Sequence, residues 1–216
     1  MNEGDTTGSE TTGLPEPADT PATLAPAPLD ASVGLRLRAL RKARDLSLQQ
    51  LSDRLGVSIG HLSQVERGLS TATLKLLAGA ADTFGVGLAD LFPGTDAAPP
   101  TEADTGPIVV RRNERGRLGL WQAGITKELL TAPRGASRLN LFMVRIEPGG
   151  TTGEEDYVHG GEEAGFVIEG TLELHVEDRA WHLEPGDSFR FASDRPHRFG
   201  NPGAAPALVL WVNVTP

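Results

Sequence analysis

The 216-residue chain has no cysteine. That excludes a disulfide framework, a Cys-ligated zinc or iron–sulfur centre and a thiol nucleophile. Aromatic residues are scarce at 5%, with 3 Trp, 1 Tyr and 7 Phe, so the core is expected to be modest and mainly aliphatic. No apolar run approaches the ~20 residues that span a bilayer, and Met1–Thr20 lacks the basic and apolar regions of a signal peptide. A soluble, cytoplasmic protein is therefore expected. Positive charge is also in short supply, with 20 Lys+Arg against 29 Asp+Glu and a formal net charge of -9. Spread evenly, that balance would argue against a nucleic-acid partner.

The charge is not spread evenly. Residues 1–30 hold six acids and no Lys or Arg, in a Thr/Pro/Ala/Gly-rich setting with little apolar surface to offset ordering. They are expected to form a disordered acidic tail. Residues 31–92 carry eight basic side chains against five acids, and five of the eight (Arg36, Arg38, Arg41, Lys42, Arg44) cluster at the first helical pattern. Residues 93–107 (PGTDAAPPTEADTGP) have a linker composition without hydrophobic period. Residues 108–216 are net acidic and form a second expected domain.

Within 31–92 the apolar residues recur at helical spacing. Val33, Leu37, Leu40 and Leu46 fall near one face of a first helix expected from about Ser32. Ser47-Leu-Gln-Gln50 is a capping-box sequence opening a short helix through Leu55, ended by Gly56. Ser58 can cap a third helix, Ile59–Arg67. A fourth is expected from about Thr71 through Phe84, and a short fifth at Leu88–Phe92. Two short helices joined by a Gly-containing turn, among five in some 60 residues, describe a helix-turn-helix domain.

The segments Leu-Arg-x-Leu-Arg (37–41), Leu-Ser-x-x-Leu-Gly-Val-Ser (51–58) and Leu-Ser-Gln-Val-Glu-Arg-Gly (62–68) resemble the xenobiotic-response-element type of helix-turn-helix, the fold of lambdoid phage repressors. The pattern departs after Gly68, where Ser70-Thr71-Ala72 stand in place of a frequent Pro. The resemblance implies that Ile59–Arg67 enters the major groove of double-stranded DNA. His61, Ser63 and Gln64 would face base edges, and Ser58, Ile59 and Gly60 would let the backbone approach. Ser47, Leu48 and Gln49 would lie along phosphates, as would Arg36, Arg38, Arg41, Lys42 and Arg44. Glu66-Arg67 reads as a structural cap or ion pair, because an acid in the groove would meet phosphate repulsion.

From Ile108 onward, short β-branched and apolar runs alternate with Gly, Pro and Asp. Ten strands are expected: 108–112, 118–122, 125–130, 139–147, 164–169, 171–177, 179–183, 188–191, 197–199 and 207–214. With no long helix, they indicate a β-sandwich or barrel. Glu169-Gly170 and Glu177-Asp178 read as hairpin turns. Trp121, Phe142, Phe166, Phe189, Phe191 and Trp211 are candidate core aromatics.

The stretch from Pro148 to Asn201 resembles the two cupin motifs, so the implied fold is an all-β jelly-roll barrel. His159, Glu163 and Gly170 fit the first motif, and Gly186, His197 and Asn201 the second. In metal-binding cupins three His and one Glu hold a divalent cation; here Tyr157 stands where the first His would be, and Ala192 and Asp194 replace the usual Pro and Gly. His159, Glu163 and His197 remain as a three-ligand set suited to Zn, Mn, Fe or Ni. The expected effector-binding group is Tyr157, His159, Glu163, His197 and Asn201. His175 and His182 fit no ligand spacing. Glu154, Glu155, Asp156, Glu162 and Glu163 cluster in sequence and suggest either a cationic effector or a solvated acidic loop.

A DNA reader joined to a small-molecule barrel reads as a ligand-responsive, homodimeric transcriptional regulator. Repressor is the sign that family analogy implies. Two alternatives stay open: a metal-dependent cupin enzyme carrying a helix-turn-helix, and a cupin used only for dimerisation.

Overall fold

The computed structural model describes residues 29–91, 108–120, 123–132 and 138–215. The acidic tail up to residue 28, Phe92, the linker 93–107 and Trp121 lie outside these residues. Among the described residues no helix is long and apolar enough to cross a membrane.

Four α-helices form the first unit: α1 (Leu29–Lys42), α2 (Leu48–Leu55), α3 (Ile59–Glu66) and α4 (Leu74–Phe84). Their ends follow local chemistry. Ser47 Oγ accepts from Gln50 N at 3.1 Å while Gln50 Oε1 accepts from Ser47 N at 2.8 Å, closing the expected capping box on α2. Ser58 Oγ and Thr73 Oγ1 cap α3 and α4 by a single bond each, accepting from His61 N and Leu76 N. Gly56 ends α2 in the left-handed region, which a Cβ would disfavour. α1 and α3 cross in direct contact at Gly34, where a Cβ would sit 2.1 Å from the Val65 carbonyl oxygen.

Several boundaries differ from expectation. α1 begins at Leu29 rather than near Ser32, so the last residues of the proposed tail range are already helical. Leu46 lies beyond α1, its N–H bonded to the Arg41 carbonyl, and still packs on the core. α4 begins at Leu74 because Thr73 is its cap. The expected fifth α-helix is a 3-10 turn, Leu88–Leu91, too short for α-helical hydrogen bonding to propagate.

The second unit contains β1 (Arg117–Leu120), β2 (Ile125–Leu129), β3 (Leu139–Ile146), β4 (Glu162–Glu169), β5 (Leu172–Val176), β6 (Arg179–Leu183), β7 (Ser188–Ala192), β8 (His197–Gly200) and β9 (Ala207–Val214). They make a six-stranded sheet, β1-β2-β3-β9-β4-β7, and a three-stranded sheet, β6-β5-β8, antiparallel throughout. The barrel expected from the cupin resemblance is not closed: among the described residues no ladder joins the two sheets. Residues 108–112 form no strand; Ile108 and Val109 are exposed and a 3-10 turn follows, since strand propensity without a partner edge gains no ladder. Glu169-Gly170 is a crossover between sheets rather than a hairpin, whereas Glu177-Asp178 does close the β5–β6 hairpin.

Strand alternation sets the core. Ile125, Lys127 and Leu129 of β2, Phe142, Val144 and Ile146 of β3, and Val209, Trp211 and Asn213 of β9 all face inward. Phe199 joins this core, an aromatic the sequence reading overlooked. Phe166, expected inside, is 45% exposed because it occupies an outward position of β4. The apolar core is continuous between the two units: Leu118 and Leu120 of β1 are buried beside Val33 of α1 and Val65 of α3.

Candidate functional site

Two regions carry chemistry: the outer surface around α3, and a cavity where α4 meets the sheets.

At α3 the first turn is open. Ser58, Ile59, Gly60 and Gln64 are exposed, and His61 and Ser63 half-buried. Gln64 has its amide free of any described partner, whereas the Ser63 carbonyl accepts from Arg67 Nε at 3.2 Å. A Cβ on Gly60 would meet nothing, so the glycine serves no internal packing there. At the start of α2, Ser47 is engaged in its cap and Gln49 Nε2 donates to Asp53 Oδ1 at 2.6 Å. Leu48 packs its side chain against the core, which leaves only its backbone for a phosphate.

The five clustered cations divide sharply. Arg38 and Lys42 are exposed. Arg36 donates to the Asp90 carbonyl at 2.9 Å, and the Arg44 guanidinium lies 5.2 Å from the centre of the Phe84 ring. Arg41 is buried: Nε and Nη2 reach both carboxylate oxygens of Glu66 at 2.6 and 2.9 Å, and Nη1 donates to the Leu46 carbonyl at 2.7 Å. Arg41 is therefore a core clamp and not a phosphate contact. The reason is positional, since it follows Leu37 by four residues on the apolar stripe of α1. Glu66 is the expected structural ion pair.

In the cavity, three acceptor groups converge. His159 lies in the loop before β4, Glu163 points inward from β4, and His197 opens β8; one ligand atom from each lies within 4.8 Å of the others. His159 Nδ1 is 3.0 Å from the Gly160 carbonyl and His197 Nδ1 is 2.8 Å from the Arg195 carbonyl. A carbonyl only accepts, so each Nδ1 carries a hydrogen and each Nε2 faces the centre. His197 Nε2 and Glu163 Oε2, 3.7 Å apart, are both buried without a hydrogen-bond partner. His159 Nε2 is 3.0 Å from Glu163 Oε1. That contact needs a proton on Nε2 or a cation in its place.

The electrostatics agree. Burial alone would lower the His159 value, but the hydrogen bond and charge of Glu163 outweigh it and hold the imidazolium above the usual range. Burial pushes Glu163 up, and the hydrogen bond and charge of His159, followed by His197 and Lys127, more than reverse this. His197 is lowered by burial and stays neutral. Tyr157 packs its ring 4.2 Å from that of His197, and burial followed by the Glu163 charge holds its phenol well above the ordinary value. A neutral phenol is a poor ligand, so the candidate donor set is His159, Glu163 and His197.

Three residues differ from the group expected from sequence. Asn201 is not in this group: Nδ2 donates to the Ile146 and Ala205 carbonyls, and Oδ1 accepts from Gly203 N, a purely structural set of bonds. Asn213 of β9 stands there instead, donating to Glu163 Oε1 at 3.1 Å. Lys127 of β2, also unforeseen, lines the same cavity at 3% exposure, and burial lowers its pKa to about 8 against partial compensation by Glu163. Its signal was available, since a lysine sits between Ile125 and Leu129 on the inward phase of a strand. The acid cluster disperses into ion pairs, Glu155 with Lys75, Asp156 with Arg198 and Glu162 with Arg190, which removes its case for a cationic effector. His175 and His182 gather at Glu173, away from the cavity.

The cavity measures about 40 Å³. Its floor is Lys127, Tyr157, His159, Glu163 and Asn213; its opposite wall is Leu74, Ala78, Ala81 and Asp82 of α4. Lys75 Nζ reaches Glu155 Oε2 at 2.6 Å beside it, and Gly160 N donates to Asp82 Oδ1 at 3.4 Å.

Comparison with known proteins matches both units. A family model described as helix-turn-helix matches residues 37–91, and one described as a cupin domain matches residues 142–213. The chain is 26% identical to the HTH-type transcriptional regulator PuuR of Escherichia coli (strain K12), over 82% of this chain and 91% of the relative. It is 28% identical to the HTH-type transcriptional regulator SutR of the same organism, over 77% and 85%. An HTH_3 family transcriptional regulator from Vibrio cholerae shares the fold, with a TM-score of 0.65 at 22% identity, covering 87% of this chain and 97% of that one. The chain thus combines an XRE-type helix-turn-helix domain with a C-terminal cupin domain.

Proposed function

We propose that this protein is a cytoplasmic, sequence-specific DNA-binding transcriptional regulator, a repressor, whose cupin unit senses a small molecule. The observation that carries the reading is the shared cavity. The helix that buttresses the DNA-reading unit, α4, is also the wall closing the polar pocket of the cupin unit. The pocket is small, about 40 Å³, and α4 lines one side of it, so a molecule bound there contacts both units. Binding free energy at the pocket then depends on where the helix-turn-helix sits, which is the differential affinity that coupling requires. The regulators PuuR and SutR support the same assignment.

DNA reading is assigned to Ser58, Ile59, Gly60, His61, Ser63 and Gln64 on α3. Phosphate positioning is assigned to Arg38, Lys42, the Ser47–Gln49 turn and, through its outer edge, Arg36. A homodimer would place two α3 helices on half-sites roughly 34 Å apart. The surface proposed for it is the outward face of the six-stranded sheet, where Phe166 and Ile168 of β4 adjoin Leu208, Leu210 and Val212 of β9 and Leu141 and Met143 of β3. A second copy is the occupant that two-fold DNA half-sites require.

His159, Glu163 and His197 fit a divalent cation, because two of their buried acceptor atoms have no other partner. Bound there, a metal would act as a Lewis acid that fixes an oxygen of the effector. Two imidazoles and one carboxylate suit Zn, Mn or Fe. The test is recovery of native-genome fragments by the full chain, followed by titration of those fragments against metabolites of neighbouring gene products. Release or tightening of a specific fragment is expected. Stoichiometric tight iron or manganese together with turnover, and no specific fragment, would favour the enzyme reading.

A further inference from the structure

We infer that the cavity is a receptor for a small monocarboxylate, with Lys127 as the cation that meets it. This deepens the effector-sensing reading and rests on it. Lys127 Nζ lies 5.7, 5.6 and 5.6 Å from the ring centres of Phe142, Phe199 and Trp211. The ring faces stabilise a cation only partly, since they accept no strong hydrogen bond. An ammonium has three donors and no acceptor. Among the described residues Lys127 Nζ makes neither a hydrogen bond nor an ion pair, although the side chain is 3% exposed. Glu163, whose charge favours the protonated lysine, directs Oε1 to His159 and Asn213, and its Oε2 makes no hydrogen bond to Nζ either. A buried ammonium without an acceptor is costly to the fold. A position that keeps one, opening onto a cavity, is built for an acceptor supplied from outside the chain.

The chemistry of the walls narrows the acceptor. Glu163 offsets part of the charge without a hydrogen bond to Nζ, and water could take the hydrogen bonds without the charge; an anionic group answers both needs. The small cavity, about 40 Å³, favours a compact head, and a carboxylate is three non-hydrogen atoms. Opposite Lys127 the wall is Leu74, Ala78 and Ala81, which suits a short hydrocarbon tail. Asp82 at the same wall disfavours a second anionic group. The ligand class is therefore a short monocarboxylic acid, entering head first with its tail against α4.

The experiment uses the full chain, with calorimetric titration and thermal unfolding in sodium propionate, propionamide or methylammonium chloride at matched ionic strength. Expected is saturable propionate binding that raises the Tm, with no response to propionamide or methylammonium. Lys127→Met is expected to lose about tenfold or more in propionate affinity, the scale of one lost charge-assisted contact, while Lys127→Arg retains part of it. Absence of saturable propionate binding, equal binding by Lys127→Met, or equal binding of propionamide each overturns the inference. Should Lys127→Met fail to fold, the ranking of propionate over propionamide in the unmodified chain decides it. Duplex affinity measured on the same preparation separates the two levels. Salt-sensitive DNA binding without propionate binding rejects the carboxylate site and leaves the regulator; propionate binding without DNA binding does the reverse.

Discussion

Arg41 and Glu66 lock α1 to α3 through two charge-assisted bonds of 2.6 and 2.9 Å, inside a largely apolar helical core. The pair fixes the angle at which α3 is presented, because Gly34 lets the two helices touch beside it. Removing one partner strands the other. Glu66→Ala is expected to destabilise the protein by about 3–5 kcal/mol, read by urea unfolding, because an unpaired guanidinium is left buried. The double replacement Arg41→Met with Glu66→Leu should recover most of that loss. A single replacement that costs nothing would show the pair to be solvated.

The roles proposed for Arg38 and Gln64, positioning and reading, can be told apart. Arg38→Ala should weaken binding to all duplexes alike and flatten the dependence of log K on log salt by about one unit. Gln64→Ala should cost about 1–3 kcal/mol at the specific site and leave non-specific binding unchanged. Fluorescence anisotropy on specific and scrambled duplexes measures both. An unmoved salt slope in Arg38→Ala would take that residue off the phosphates.

Metal loading tests the convergent acceptors. Zinc or manganese should raise the Tm of the chelator-treated chain, and Glu163→Gln or His197→Ala should abolish the rise. Uptake must displace the proton that the raised His159 value retains, so metal affinity should fall as pH is lowered through that value. Metal affinity that is indifferent to pH would exclude His159 as a ligand.

Ala78 is buried on α4 where the helix walls the cavity. Ala78→Leu adds three carbons to a space of about 40 Å³ and should overpack it by about 1–3 kcal/mol. It should also move operator affinity in the same direction as the effector does, by displacing α4 without ligand. A lower Tm with unchanged operator affinity would show that the wall does not communicate. The exposed Lys75–Glu155 pair beside it is expected to matter little, as surface ion pairs do.

Phe166 gives the test of assembly. Phe166→Glu introduces a charge at the centre of the outward apolar face and should shift the sedimentation coefficient from dimer to monomer. A dimer that survives the change is built elsewhere.

Much of this molecule can be read locally. The capping residues Ser47, Ser58 and Thr73 and the glycine at 56 place the helix ends by short-range hydrogen bonding and backbone sterics, which sequence carries directly. The pair His159 and Glu163 is similarly local, four residues apart. What escaped was charge on an inward phase. Arg41 and Lys127 were legible by period, yet a count of cations places them on the surface because burial of a charge is decided by a distant partner or ring. The α4 wall was beyond reach for the same reason: Ala78 meets Tyr157 and Glu163 at the cavity only through tertiary packing across the two units. Asn213 stands where Asn201 was expected because motif position alone does not say which amide faces a carbonyl and which a carboxylate.

The most direct test is the affinity of the full chain for duplex fragments drawn from its own genome, measured across a salt series. The expected result is a small set of retained fragments carrying paired half-sites about one helical turn apart, with log K falling linearly as log salt rises. Retention of no fragment above bulk DNA, or an affinity that salt leaves unchanged, would contradict the assignment of α3 as a DNA reader.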